Sequence, residues 1–154
     1  MSEVKAAIRD DLKTAMKAKD TLVTGTLRML LSAIQAEETS GTAHALTDEE
    51  FLKVVAREVK KRGEAAEIFT ENGRDELAAK ERAEADVMAR YLPQQLGDDE
   101  LNALVDDAVA QVKDELGDDP TVRNMGQVMK IATAKAAGAA DGKRLSAAVK
   151  ARLA

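Results

Sequence analysis

Apolar residues recur three and four positions apart through most of the chain, the spacing that lays them along one side of a helix. In residues 3–18 they are Ile8, Leu12, Ala15 and Met16. A wider stripe follows in Val23, Leu27, Leu30, Leu31 and Ile34, with Asp20 placed to cap its start and the turn-forming TSGTAHA to end it. Thr47 and Glu50 have the spacing of a capping box, in which two side chains reciprocally satisfy orphan backbone donors. They predict a third helix that carries Phe51, Leu52, Val55, Val59, Ile68 and Phe69 up to Asn72-Gly73. Gly63 inside it costs about 1 kcal/mol relative to alanine, which predicts a bend or a close helix contact at that point. A fourth helix, laced by Glu76/Lys80 and Arg82/Asp86 at i,i+4, runs to Tyr91.

YLPQQLG then breaks the pattern, because Pro93 disfavours helix at Leu92 and has no backbone donor of its own. The break divides the chain into an N-terminal helical domain, 1–92, a linker, 93–97, and a tail domain, 98–154. Gly97 or Asp98 starts a fifth helix with Leu101, Leu104, Val105, Ala108, Val112 and Leu116, which stops at Gly117. Asp119-Pro120, a capping residue followed by proline, predicts the opening of a sixth. Asp141, just after Gly138, predicts the opening of a seventh. No period-2 run of β-branched residues occurs, so the expected fold is all-α: an N-terminal four-helix bundle-like domain followed by a smaller three-helix C-terminal domain.

Composition narrows the chemistry. With 154 residues and 45% apolar content the chain has material for a packed core, and without cysteine it has no disulfide, thiolate nucleophile or cysteine zinc site, which fits a reducing compartment. MSEVKAAIRDDLKTAMKAKD lacks a signal-peptide apolar run, and no segment approaches the roughly 20 apolar residues that cross a bilayer. A cytoplasmic protein without membrane contact is expected. The net charge of −5 opposes whole-molecule attraction to polyanions, so DNA is not an expected partner and any nucleic-acid contact must be local.

Such a locality exists in the tail: residues 94–119 hold nine acids and one lysine, whereas residues 120–154 hold seven Lys/Arg and one Asp. On a regular sixth helix Arg123, Gln127 and Lys130 share a line, roughly opposite Met125, Val128, Met129, Ala132 and Ala136. On the seventh, Leu145, Ala148 and Val149 form the buried strip and Lys143 and Lys150 lie on another side. Gly138 and Gly142 allow a tight turn between the two helices, and Asp141 can accept amide hydrogen bonds there. The same cations also suit the negative end of a helix dipole and the acids of the fifth helix, and charge alone does not separate these roles.

NMGQVMK and AKAAGAADGKRLSAAVK resemble the tail module of the GatB/YqeY family, the helical region shared with the B subunit of the tRNA-dependent amidotransferase. TLRMLLSAIQAEE, LTDEEFLKVVAREVKKR, GRDELAAKERAE and YLPQQL are similar to the N-terminal part of stand-alone YqeY-like proteins. The resemblance implies a helical bundle joined to a three-helix tail, with the tail contributing to tRNA recognition. Met125, Gly126, Val128 and Met129 match the first tail motif, and Lys135, Gly138, Ala140, Asp141, Gly142 and Lys143 the second. The candidate RNA-binding set is therefore Arg123, Lys130, Lys135, Gly138, Asp141, Gly142, Lys143, Arg144 and Lys150. Gln127, Ala137 and Ala139 stand where relatives often carry basic residues, Lys130 where glycine is usual and Ala134 where proline is usual.

No catalytic constellation accompanies these motifs. Ser32, Ser40 and Ser146 lack an evident base, and His44, the one histidine, falls in a loop where solvent exposure is expected. Phosphate-binding glycine loops are missing. The acid pairs at Asp98-Asp99, Asp106-Asp107 and Asp118-Asp119 do not have calcium-loop spacing. Accordingly no catalytic residue, metal ligand or cofactor is assigned. Three aromatic residues cannot supply a stacking platform, so RNA contact is expected through backbone and shape. The sequence thus reads as a non-catalytic tRNA-binding or amidotransferase-associated accessory protein. The alternatives are a helical protein–protein interaction adaptor and an amidotransferase-like carbon–nitrogen ligase activity that uses glutamine as amide donor together with a partner. The methionines are expected on the core stripes, and Arg28, alone in an apolar helix, is expected to snorkel, pair with an acid or meet a partner.

Overall fold

The structure, a computed structural model, describes residues 3–154. Among these residues there are seven α-helices, one 3₁₀ turn and no strand: α1 (Glu3–Lys17), α2 (Thr21–Thr39), α3 (Asp48–Glu71), α4 (Asp75–Ala89), α5 (Asp98–Leu116), the 3₁₀ turn Val122–Asn124, α6 (Met125–Ala136) and α7 (Gly142–Leu153). The all-α expectation holds. Contacts divide the chain into two compact units, 1–92 and 93–154.

In the first unit the helix boundaries follow the local capping chemistry. The Asp20 carboxylate accepts from Val23 N–H at 3.1 Å and starts α2. At α3, Thr47 N–H donates to Glu50 Oε2 at 2.8 Å and Glu50 N–H to Thr47 Oγ1 at 3.2 Å, which completes the capping box. Leu46 and Phe51, on either side of this cap, are both buried and staple the entering chain to the core. Asn72 and Gly73 (φ +72°) close the turn into α4. α3 packs along α4, while α2 touches α1, α3 and α4. Ile8, Leu27, Leu30, Ile34, Val54, Val55, Val87 and Met88 fill the space between them.

Several expectations for this unit do not hold. Gly63 sits in an uninterrupted α3, and a Cβ there would meet nothing within 4 Å, so the expected close helix contact is absent. Among the described methionines only Met88 is fully buried, and Met16 and Met29 are exposed. Ile68 is also exposed, as is Leu116 of the second unit. The physical reason is common to all of them: periodicity marks a face, but only the part covered by a neighbouring helix leaves water. Arg82 donates to Thr70 Oγ1 across the α3–α4 seam at 3.0 Å, and neither i,i+4 pair foreseen in α4 forms within the described residues.

One buried charge cluster interrupts the seam. Glu84 of α4 is 7% exposed and its Oε2 lies 3.5 Å from Arg62 Nε, while Arg62 Nη1 reaches Glu58 Oε2 at 3.4 Å. The Arg62 Nε hydrogen and Thr26 Oγ1 are buried with no hydrogen-bond partner.

In the second unit Leu101, Val105, Ala108 and Val112 of α5 pack on Val128, Ala132 and Ala136 of α6 and Leu145, Val149 and Leu153 of α7. Gly117 stops α5 in the left-handed conformation, φ +75°. The sixth helix does not open at Asp119-Pro120. Thr121 and Asn124 cap each other instead, with Thr121 N–H donating to Asn124 Oδ1 at 2.9 Å, and Asp119 is drawn to Lys113 Nζ at 2.9 Å. Each partner shifts the other's pKa, Lys113 upward and Asp119 downward, chiefly through their shared hydrogen bond.

Candidate nucleic-acid interface

The α6–α7 turn is built from its backbone outward. α6 ends at Ala137, a non-glycine residue held at φ +47°, and Gly138 continues the turn at φ +87°. Leu96 N–H donates to Ala139 O at 2.8 Å, and the Gln95 side-chain amide donates to Pro93 O at 2.9 Å and to Gly138 O at 3.1 Å. The stretch 93–97 thus clasps the turn, a role that YLPQQLG did not reveal because the contact joins residues 43 apart in sequence. Asp141 caps α7 by accepting from Arg144 N–H at 2.7 Å. Gly142 has no positive φ and open space beside it, so the turn requires glycine only at Gly138.

Two arginines fasten α7 to α5. Arg144 Nη2 lies 3.2 Å from Asp98 Oδ1, and Arg152 Nε lies 2.7 Å from Asp106 Oδ1. Both pairs join residues 46 apart, so the partners advance together and α5 and α7 run in the same direction. Such exposed pairs contribute about 0–1 kcal/mol each. The rotation of α7 about its axis is set by the buried Leu145, Val149 and Leu153, and the two pairs lie at the edge of that packing.

With Leu145 and Val149 inward and the arginines toward α5, Lys143 and Lys150 face solvent. Seven residues make nearly two turns, so the two lysines lie within about 20° of one another and about 10 Å apart along the axis. On α6, Lys130 and Lys135 are both exposed but about 140° apart around the helix. Arg123 falls in the 3₁₀ turn, whose tighter winding takes it off the expected line through Gln127 and Lys130. The candidates therefore form no single stripe: Lys143 and Lys150 share a face, Lys130 and Lys135 lie on different sides of α6, Arg123 precedes them in the 3₁₀ turn, and Arg144 is engaged with Asp98. Among the described residues no carboxylate lies within 4.0 Å of the side-chain nitrogens of Arg123, Lys130, Lys135, Lys143 or Lys150. Arg152, absent from the sequence-derived set, belongs with Arg144 as a helix fastener.

Elsewhere the polar groups make structural contacts. Tyr91 donates to Asp11 Oδ2 at 2.6 Å, and partial burial, followed by this bond, pushes its phenol pKa well up. His44 is exposed, as expected, and lies against the α3 cap, with Nε2 3.2 Å from Glu50 Oε1. Among the described residues no cluster of three or more His, Cys, Asp or Glu is placed to hold a metal ion. No helix among them is long and apolar enough to cross a membrane.

Fold and surface together define a two-unit helical protein whose tail exposes unneutralised cations beside an acidic helix. The chain belongs to the YqeY-like protein family, whose profile matches residues 5–153. It is similar to proteins named "Altered inheritance of mitochondria protein 41, mitochondrial" in several yeasts. The relative from Clavispora lusitaniae is 36% identical over 87 residues, 56% of this chain and 50% of the relative. Those from Saccharomyces cerevisiae and Lachancea thermotolerans are each 30% identical, over 109 and 110 residues, covering 71% and 70% of this chain and 58% and 59% of the relatives. The matched region thus spans half to three fifths of the length of these curated relatives.

Proposed function

We propose that the protein is a non-catalytic accessory protein that binds tRNA through the outer surface of α6 and α7, with Lys143 and Lys150 at the centre of the contact and Lys130, Lys135 and Arg123 contributing at its margins. The observation that carries this reading is the freedom of these five cations from carboxylates, in a unit whose first helix is strongly acidic. Basic residues placed only to balance α5 would be spent on it, as Arg144 and Arg152 are. The resemblance of the tail to an amidotransferase module supplies the setting, a tRNA-dependent amidotransferase to which the chain attaches as an accessory. A cytoplasmic location belongs to the same proposal, whereas the mitochondrial designation belongs to the named yeast relatives.

The test is a fluorescence titration with bulk tRNA at about 50 and about 200 mM salt. Three to four phosphate contacts from the tail contribute roughly 2–4 to the fall of log K with log salt, at about 0.7–0.9 per contact. Lys130→Glu, Lys143→Glu and Lys150→Glu together should abolish binding at the higher salt and leave the far-UV circular dichroism unchanged. Wild-type binding that ignores salt, or no binding at either salt, would refute the proposal.

A further inference from the structure

We infer that the N-terminal unit carries a second RNA-backbone surface, formed by Lys13 and Lys17 of α1 and Arg28 of α2 around the exposed thioether of Met16. This extends the tRNA-binding reading and rests on it. Residues 12–36 contain four Lys/Arg and a single acid, Asp20, and are bordered by Asp10 and Asp11 on one side and Glu37 and Glu38 on the other. The Asp20 carboxylate is committed to the Val23 N–H at the start of α2, and the nearby Asp11 carboxylate accepts from Tyr91. Lys13 and Lys17 are exposed, one turn and about 6 Å apart, on the side of α1 turned away from the buried Ile8 and Ala15.

Arg28 supplies the third cation. It is the only cation of α2, and its Nη2 rests 3.9 Å from Met16 Sδ on α1. A thioether is a weak and uncharged acceptor, so this contact positions the guanidinium without neutralising it. Among the described residues no carboxylate lies within ion-pair distance of Lys13, Lys17 or Arg28. Asp10 shares the outer side of α1 and pairs with none of the three.

The chemistry of the surface favours phosphate. Residues 12–36 contain no aromatic side chain on which a base could stack. Of the large apolar residues of α1 only Met16 is exposed, and Ile8 is buried, so the helix offers too little free hydrophobic face to insert into a lipid layer. What remains is fixed positive charge at the spacing of one helical turn, the arrangement suited to a nucleic-acid backbone.

The full chain with Lys13→Gln, Lys17→Gln and Arg28→Gln tests this in the same tRNA titration. Loss of three phosphate contacts should lower affinity at least tenfold at about 50 mM salt and reduce the salt slope by roughly 2–3. Arg28→Lys, which keeps the charge, should retain the wild-type slope. If the triple variant binds as the wild type does while the α6–α7 reversals abolish binding, the second surface is refuted and the tail reading stands. If wild-type protein binds no tRNA, both fall. If the triple variant keeps its tRNA affinity but loses affinity for polyglutamate, the surface serves an acidic protein and the RNA assignment is overturned.

Discussion

His44 has both ring nitrogens against groups that only accept hydrogen bonds: Nδ1 lies 3.0 Å from Thr42 O and Nε2 3.2 Å from Glu50 Oε1. A neutral imidazole carries one N–H, so it can satisfy one of these contacts, while the imidazolium satisfies both. The Thr42 carbonyl first and the Glu50 carboxylate next raise the His44 pKa, and Glu37 adds to the same direction. Glu50 shifts downward, mainly through the Thr47 N–H and then through His44. Because the folded value is the raised one, the stabilisation is fully present below the ordinary histidine pKa of about 6.5 and is lost as pH rises through the folded value. An NMR titration of the His44 ring should give a midpoint above that of an unstructured histidine, and Glu50→Gln should lower it. Amides of the 42–47 loop should exchange faster, beyond the intrinsic pH effect, above the midpoint. A midpoint at or below the ordinary value would mean that the ring does not hold these two contacts in solution.

Between α3 and α4 the decisive feature is a cation shared by two acids in a nearly dry seam, with side-chain exposures of 11% for Arg62, 13% for Glu58 and 9% for Glu84. Removing one partner from such a cluster leaves uncompensated charge and costs about 3–5 kcal/mol, whereas replacing a pair by apolar side chains of similar volume is often neutral or stabilising. Arg62→Met should therefore destabilise by about that amount in urea denaturation, and Arg62→Met with Glu84→Leu should recover more than half of the loss. Equal losses in the single and double variants would show that the cluster acts through packing alone. This seam also marks how far the sequence could be read. The helix ends at Asp20, Thr47/Glu50, Asn72-Gly73, Gly117 and Asp141 were legible because a cap is decided within four or five residues. The start of α6 was misread because two cap signals compete there, and a lysine on α5 removes one of them. The Arg62 cluster, the exposure of Ile68 and Met29, and the fastening of Arg144 and Arg152 depend on which helix lies opposite, and no spacing along one strand of sequence encodes that.

Across the whole molecule a net charge of −5 coexists with surfaces that carry unopposed cations, so partner choice rests on where charge is left unneutralised. The tail's charge division and the shared face of Lys143 and Lys150 were legible in the sequence, but the departure of Arg123 from the α6 line and the engagement of Arg144 with Asp98 were not, since they follow from the 3₁₀ turn before α6 and from the packing of α7 beside α5. Lysine reactivity reads that distribution residue by residue in the intact chain. At a free tRNA concentration about a hundredfold above Kd, roughly one molecule in a hundred remains unbound. Acylation of Lys143 and Lys150 should then slow at least tenfold relative to the RNA-free protein, as measured by peptide mass spectrometry. Lys113, held by Asp119 on the acidic helix, and Lys53, paired with Glu49 on α3, should keep their own RNA-free rates, because phosphate gains nothing beside those carboxylates. Slowing of Lys13 and Lys17 alongside the α7 lysines would assign contacts to both units, and slowing confined to α6 and α7 would assign the RNA to the tail alone. Equal protection of Lys53, Lys113, Lys143 and Lys150 would mean that tRNA coats the protein without regard to its charge pattern, and the α6–α7 interface would then have no physical basis.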